Sequence, residues 1–270
     1  MRGWWQEMTD LVLPADCAGC GRPGGTLCDR CGGLLWGSGP WRVEPSPVPP
    51  GLPVVHAAAA YVDEVRAVLL AHKERGALRL AGPLGEALAG TVRAVCSRAG
   101  RPLPGGRART GPVSTGPARA RPVRARPVSS RPARTGPGSE GPLLLVPVPS
   151  ARRAVGARGH DPARRIALAA AGVLRAAGYS VRVPSVLRQR RRVRDQSGLG
   201  ARQRLVNVSG ALGVVPGGGR LLSTGPAVLV DDLMTTGASL AEAARAVSAA
   251  DGLVVGAAVV AAPPDCSNRN

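Results

Sequence analysis

Short apolar runs punctuate this chain, separated by polar turns and alanine-rich stretches of helical period. Val228, Leu229 and Val230 form an unbroken run of the kind found in a parallel strand covered on both faces. Leu143–Val148 reads as a second buried strand, and Val54–Tyr61, Val181–Leu187, Leu212–Val215 and Leu253–Ala261 as further strands. Asp63–His72 places Val65, Val68, Leu69 and His72 on one helical face, and Lys73-Glu74-Arg75-Gly76 supplies the basic residues and glycine of a helix C-terminus. A second helix is predicted over Gly82–Arg98. A third begins with Asp161 as N-cap and Pro162 at the first helical position and runs to about Ala177, and a fourth covers Ala238–Ala250.

Several stretches break this pattern. Trp4–Leu13 fits a short amphipathic helix with Trp5, Met8 and Val12 on one stripe, and Trp36–Leu52 is a Pro- and Gly-rich connector. Arg98–Pro142 is dominated by Arg, Pro, Gly, Ser and Thr and lacks the apolar content to offset ordering, so it reads as a disordered insertion. Arg188–Arg194 holds five arginines in seven residues, the mark of a solvated or mobile face, and mobile loops are also what close over active sites to exclude water. Gly217–Gly219 reads as a turn, and the tail Pro263–Asn270 is expected to fray. The expected organisation is an N-terminal module over 1–36, a linker over 37–52, a main domain over 53–262 interrupted by 98–142, and a tail over 263–270.

Composition adjusts the picture in two ways. The 270 residues carry a formal charge of +19, which invites a nucleic-acid reading through counterion release. Yet Lys73 is the only lysine, Ile166 the only isoleucine and phenylalanine is absent, as in a very GC-rich genome, so codon bias accounts for much of the arginine. No run of about 18 apolar residues exists. Met1–Asp10 carries Trp4, Trp5, Glu7 and Asp10 rather than a basic segment before an apolar one, so the expected location is the cytoplasm.

Candidate chemistry concentrates in Ala227–Leu240. Asp231 and Asp232 follow the apolar strand, where carboxylates can accept hydrogen bonds from vicinal hydroxyls or help hold a divalent cation. Thr235, Thr236, Gly237, Ala238 and Ser239 then offer successive backbone N–H groups and three hydroxyls at a helix start, an arrangement suited to an anion. The competing reading, that Asp232 and Thr236 only cap a helix, explains one such residue rather than five.

Two further groups stand out. Cys17, Cys20, Cys28 and Cys31 form two Cys-x₂-Cys knuckles, close enough in sequence to bring four thiolates to a tetrahedral Zn²⁺. Four sulfur ligands leave no open position, so such a metal is structural, contributing on the order of 10 kcal/mol to a segment with little core of its own. Cys96 and Cys266 lie outside the pattern and read as buried or incidental thiols. Arg152, Arg153 and Arg158 line the loop after Leu143–Val148, either as a pyrophosphate site or as a solvated basic loop. Lys73 is either a compact partner for one phosphate oxygen or a solvated helix-end lysine.

Ala227–Ser239 closely resembles the thirteen-residue signature of phosphoribosyltransferases that bind phosphoribosyl pyrophosphate (PRPP). The resemblance implies that Asp231 and Asp232 hold the ribose 2′ and 3′ hydroxyls and that Thr235–Ser239 wrap the 5′-phosphate. Together with the four cysteines, Lys73-Glu74-Arg75-Gly76, Pro147-Val148-Pro149 with its arginines and Arg158-Gly159, Asp195-Gln196-Ser197-Gly198-Leu199, and Arg204 with Asn207, the chain resembles the ComF/GntX-type competence-associated phosphoribosyltransferases. His160, Asp161 and Pro162 stand where that family usually has Phe-Asn-Gln. The implied fold is α/β, of the type I phosphoribosyltransferase kind, with a parallel sheet flanked by helices and a small zinc module. The implied reaction displaces pyrophosphate from C1 of PRPP, with Mg²⁺ on the pyrophosphate and an acceptor that the resemblance leaves unnamed, a nucleobase being one candidate class. Implied alternatives are a non-catalytic PRPP sensor or an accessory protein that handles single-stranded DNA alongside competence proteins. No Gly-x₄-Gly-Lys-[Ser/Thr] loop and no Gly-x-Ser-x-Gly elbow is present, and His56, His72 and His160 lack metal spacing.

Overall fold

A computed structural model describes residues 16–37, 39–100, 141–150, 155–156, 159–191 and 200–266. The helix expected over Trp4–Leu13, nearly all of the insertion, the segment Asp195–Leu199 and the end of the tail lie outside the described residues.

Helix α1 (Asp29–Trp36) closes the cysteine-bearing segment, and strands β1 (Trp41–Val43) and β2 (Val55–Ala60) follow. Helix α2 (Asp63–Glu74) leads through a 3₁₀ turn at Leu78–Leu80 into α3 (Ala81–Arg98). Beyond the insertion come β3 (Leu143–Pro147), α4 (Pro162–Ala176), β4 (Val181–Arg182), β5 (Leu187–Gln189), α5 (Ala201–Val208) and β6 (Leu212–Val214). The short α6 (Gly218–Leu222) precedes β7 (Ala227–Leu233), α7 (Ala238–Ser248) and β8 (Val254–Ala262), and a second 3₁₀ turn covers Pro264–Cys266.

The main sheet has six strands in the order β1-β2-β8-β7-β3-β4, parallel throughout except for the antiparallel edge pair β1–β2. β5 and β6 form a separate antiparallel pair. Alternate residues of the central strands face opposite layers. Leu143, Leu145, Val228, Val230, Ala258 and Val260 pack with Leu84, Leu88 and Val92 of α3 and Ile166, Ala170 and Leu174 of α4. Leu144, Val146, Ala227, Leu229, Ala257 and Val259 pack with Leu240, Ala243 and Val247 of α7. Both faces are therefore dry, which is why these strands read as continuous apolar runs.

The connectivity positions the site. From β3 the chain moves to β4 on one side, and from β7 it moves to β8 on the other. Between these two neighbours the strand order switches direction, and in open α/β sheets ligands bind beyond the carboxyl ends of strands at such a point. The loops that leave there are the arginine loop after β3 and the Asp231–Ser239 segment after the apolar part of β7.

The expected Gly217–Gly219 turn runs into α6 at Gly218, and three boundaries also differ from expectation. The connector contains β1, whose three residues pair with Val55–Ala57 of β2. Val181–Leu187 divides into β4 and the start of β5, because Val183–Val186 leave the main sheet. The first residues of the expected tail are packed: Cys266 is buried, and its carbonyl accepts a hydrogen bond from the Glu44 N–H at 2.7 Å. Among the described residues no helix is long and apolar enough to cross a membrane.

Candidate functional site

β7 continues through both aspartates because β8 still offers partners, Val259 opposite Asp231 and Ala261 opposite Leu233. On the other side, pairing with β3 ends at Pro147 opposite Val230, apart from a Val148 N–H to Val230 carbonyl bond of 2.9 Å. The carboxylates thus emerge into the crevice where β3 has departed. Asp232 is buried and Asp231 half-buried.

Asp232 is paired with Lys73, from the last turn of α2. The Lys73 Nζ lies 2.8 Å from Oδ2 and 3.2 Å from Oδ1. Asp231 Oδ1 accepts the Asp232 backbone N–H at 2.8 Å. Withdrawal from water and the adjacent Asp232 charge push the Asp231 carboxyl well above the usual carboxylate range, against the pull of the Lys73 ammonium. Two adjacent carboxyl groups thus share the Lys73 ammonium.

The turn after β7 has the features of an anion cradle. Gly237 is the N-cap of α7 with φ +69°, a left-handed conformation that favours glycine, and among the described residues no side chain caps the helix. The simple capping reading of Asp232 and Thr236 is thereby excluded, and the first N–H groups of α7 keep their capacity for a ligand. Asp231 and Leu233–Leu240 line a small cavity of about 30 Å³ here. The turn is held from behind by segments that sequence placed outside the domain. A Cβ on Gly237 would stand 3.0 Å from the Leu52 methyls and 3.4 Å from Pro45 Cγ, and Cys266 Sγ donates to the Thr235 carbonyl at 3.6 Å. From in front, Arg204 Nη1 donates to the Thr235 hydroxyl at 3.3 Å.

Next to Lys73, the His72 ring is buried, and neither of its nitrogens has a hydrogen-bond partner among the described residues. The His160 ring meets it edge-on with centroids 5.6 Å apart, and His160 Nε2 lies 3.2 Å from the His72 carbonyl oxygen. Burial, followed by the nearby His160, lowers the His72 pKa to about 4, so His72 is neutral at physiological pH. Asp161 caps α4 by accepting from the Arg164 N–H at 3.2 Å, and its second oxygen accepts from the Ser150 N–H at 3.3 Å. One carboxylate thus ties both ends of the arginine loop. Arg152, Arg153 and Arg158 lie outside the described residues.

The chain matches no protein-family model, and no curated protein is significantly similar to it.

The second candidate site is the cysteine cluster. The Sγ atoms of Cys17, Cys20, Cys28 and Cys31 all lie within 4.8 Å of one another. Cys20 Sγ and Cys28 Sγ are 3.6 Å apart, close to the sulfur–sulfur edge of about 3.8 Å that four thiolates make around Zn²⁺ at about 2.3 Å. Cys28 N–H points to Cys17 Sγ at 3.4 Å. A Cβ on Gly19 would come 2.8 Å from Cys31 Sγ, so the knuckle needs glycine there. Burial works against the Cys17 thiolate, yet backbone N–H groups of Cys20, Cys28 and Gly19 bring its pKa down to about 6. Burial and the surrounding thiols push Cys31 strongly upward. Four sulfurs so placed need a cation to be thiolates together, and the donor set fits a metal ion such as zinc.

Sequence reading identified the cysteines, the aspartates and the turn. It assigned no role to Arg204, and it gave no sign that Cys266, Leu52 and Pro45 support the turn.

Proposed function

We propose that this protein is a ComF-like, type I phosphoribosyltransferase-type enzyme, which binds PRPP with Mg²⁺ and transfers the phosphoribosyl group with release of pyrophosphate. One observation carries the reading: two adjacent carboxylates at the carboxyl end of β7, at the switch point of the sheet, run directly into an uncapped helix N-terminus entered through a left-handed glycine. A sugar bearing vicinal hydroxyls a few ångströms from a phosphate satisfies both halves at once.

In this reading Asp231 and Asp232 accept hydrogen bonds from the ribose 2′ and 3′ hydroxyls. The N–H groups and hydroxyls of Thr235–Ser239 hold the 5′-phosphate. Lys73, with Arg152, Arg153 and Arg158 of the sequence between β3 and α4, is assigned to the pyrophosphate. The carboxylates are hard oxygen donors suited to Mg²⁺, which when bound supplies positive charge to the leaving group. The acceptor forms a bond to C1 as the C1–O bond to pyrophosphate breaks; the leaving oxygen keeps the electron pair, and the acceptor loses its proton. Positive charge builds on the ring in between, and fixed carboxylates nearby stabilise it. The cysteine cluster holds a structural Zn²⁺.

A second reading, a PRPP sensor or an accessory that handles single-stranded DNA, is favoured by the charge of +19. The two readings share ligand binding and differ in pyrophosphate release. Calorimetric titration of PRPP with Mg²⁺ tests what they share. Asp232→Asn is expected to abolish binding while the protein stays folded, and unchanged affinity would remove the site assignment.

A further inference from the structure

We propose that Arg204 supplies the positive charge of the 5′-phosphate subsite, making the turn after β7 selective for a doubly charged phosphomonoester. The inference rests on the phosphoribosyl reading and adds to it a residue from a different part of the chain. Leu233–Leu240 contains no cationic side chain, so the turn offers a phosphate only N–H groups and hydroxyls. Arg204 brings a guanidinium to it, with Nη1 on the Thr235 hydroxyl at 3.3 Å. Its Nε is buried without a hydrogen-bond partner among the described residues. A buried N–H of this kind is costly to leave unsatisfied, and guanidinium groups bind phosphate oxygens in fork geometry.

The placement of Arg204 is built into the fold. It sits on α5, which packs against α7, the helix that the turn opens. The β5–β6 pair that flanks α5 is fastened to the same helix. Glu242 Oε1 accepts the Leu212 N–H at 3.0 Å, and Arg245 Nη2 donates to the Leu212 carbonyl at 3.0 Å while bonding Glu242 at 2.8 Å. Against the cost of burial, Arg245 and the Leu212 N–H hold the Glu242 carboxyl below its usual range, so the fastening stays ionic at neutral pH. Both sides of the phosphate subsite are thus anchored on one helix.

The test uses the full chain and two probes, ribose 5-phosphate and its singly charged isostere ribose 5-sulfate, titrated into wild type, Arg204→Gln and Arg204→Lys. Glutamine removes the charge and shortens the side chain, whereas lysine keeps the charge and nearly the reach, so the two variants separate a charged phosphate ligand from a structural prop on Thr235. Loss of one charge-assisted hydrogen bond is expected to weaken ribose 5-phosphate binding about 10- to 100-fold in Arg204→Gln, with a smaller loss in Arg204→Lys. The phosphate-over-sulfate preference of wild type should collapse in Arg204→Gln. Equal preference in wild type and Arg204→Gln overturns the role of Arg204 and leaves the phosphoribosyl reading standing. Failure of wild type to bind ribose 5-phosphate at all overturns both. A melting temperature matching wild type for Arg204→Lys keeps the comparison valid if Arg204→Gln fails to fold.

Discussion

Replacing Lys73 with methionine keeps an unbranched side chain one heavy atom shorter and removes its charge from between α2 and β7. At 2.8 Å and an effective dielectric constant near 20, the gross attraction to Asp232 is about 6 kcal/mol. The net value is smaller. Breaking a fully buried pair costs about 3–5 kcal/mol and an exposed one about 0.2–1. Here the Asp232 side chain is 7% exposed and that of Lys73 32%, so an intermediate loss of about 2 kcal/mol is expected at pH 7.5. For a domain of this size that corresponds to a fall in Tm of about 4–8 °C. The loss should also depend on pH in a defined direction. Lys73 holds down the Asp231 pKa, which burial and Asp232 already raise. Without Lys73 that folded-state pKa rises further above its unfolded value, so the folded variant takes up a proton more readily as pH falls and regains stability. Urea unfolding of both proteins at pH 7.5 and pH 5 should therefore show a difference that shrinks at the lower pH. A difference below about 0.5 kcal/mol, or one that is the same at both pH values, refutes this account of the acidic pair.

Two further outcomes are expected. Purified protein should contain one zinc per chain, and Cys31→Ser or strong chelation should unfold the segment around α1, since metal binding contributes on the order of 10 kcal/mol there; metal-free protein with an unchanged near-UV spectrum contradicts the Cys₄ site. His72, with its pKa lowered to about 4, remains neutral in the folded state while the unfolded chain titrates near 6.5, so stability is lost as pH falls through that window. Relative to His72→Leu, wild type should lose about 2 kcal/mol between pH 7.5 and pH 5, and parallel pH profiles of the two proteins rule this out.

What could be read from sequence was local. The unbroken Val228–Val230 run reported a strand covered on both faces, Asp161-Pro162 reported a helix start, and the two Cys-x₂-Cys knuckles reported a four-sulfur cluster, because each signal lies within a few residues. What was hidden depended on contacts between distant parts of the chain. Lys73 reaches Asp232 across 159 positions, and Arg204 reaches Thr235 across 31. The open alternatives for Lys73 narrow accordingly, since it is an ion-pair partner in the crevice rather than a solvated helix end. β1 was missed because three residues set among prolines carry no periodic signal. β7 runs past its apolar core because β8, which is longer, still offers backbone partners. Leu52, Pro45 and Cys266 looked like linker and tail, and only packing makes them the support of the turn.

The central claim is that the Asp231–Ser239 segment binds a phosphoribosyl donor. It is tested most directly by calorimetric titration of PRPP and Mg²⁺ into wild type and Asp232→Asn. The account predicts saturable one-to-one binding by wild type and none by the variant. Absence of binding by wild type, or equal binding by both, would contradict it.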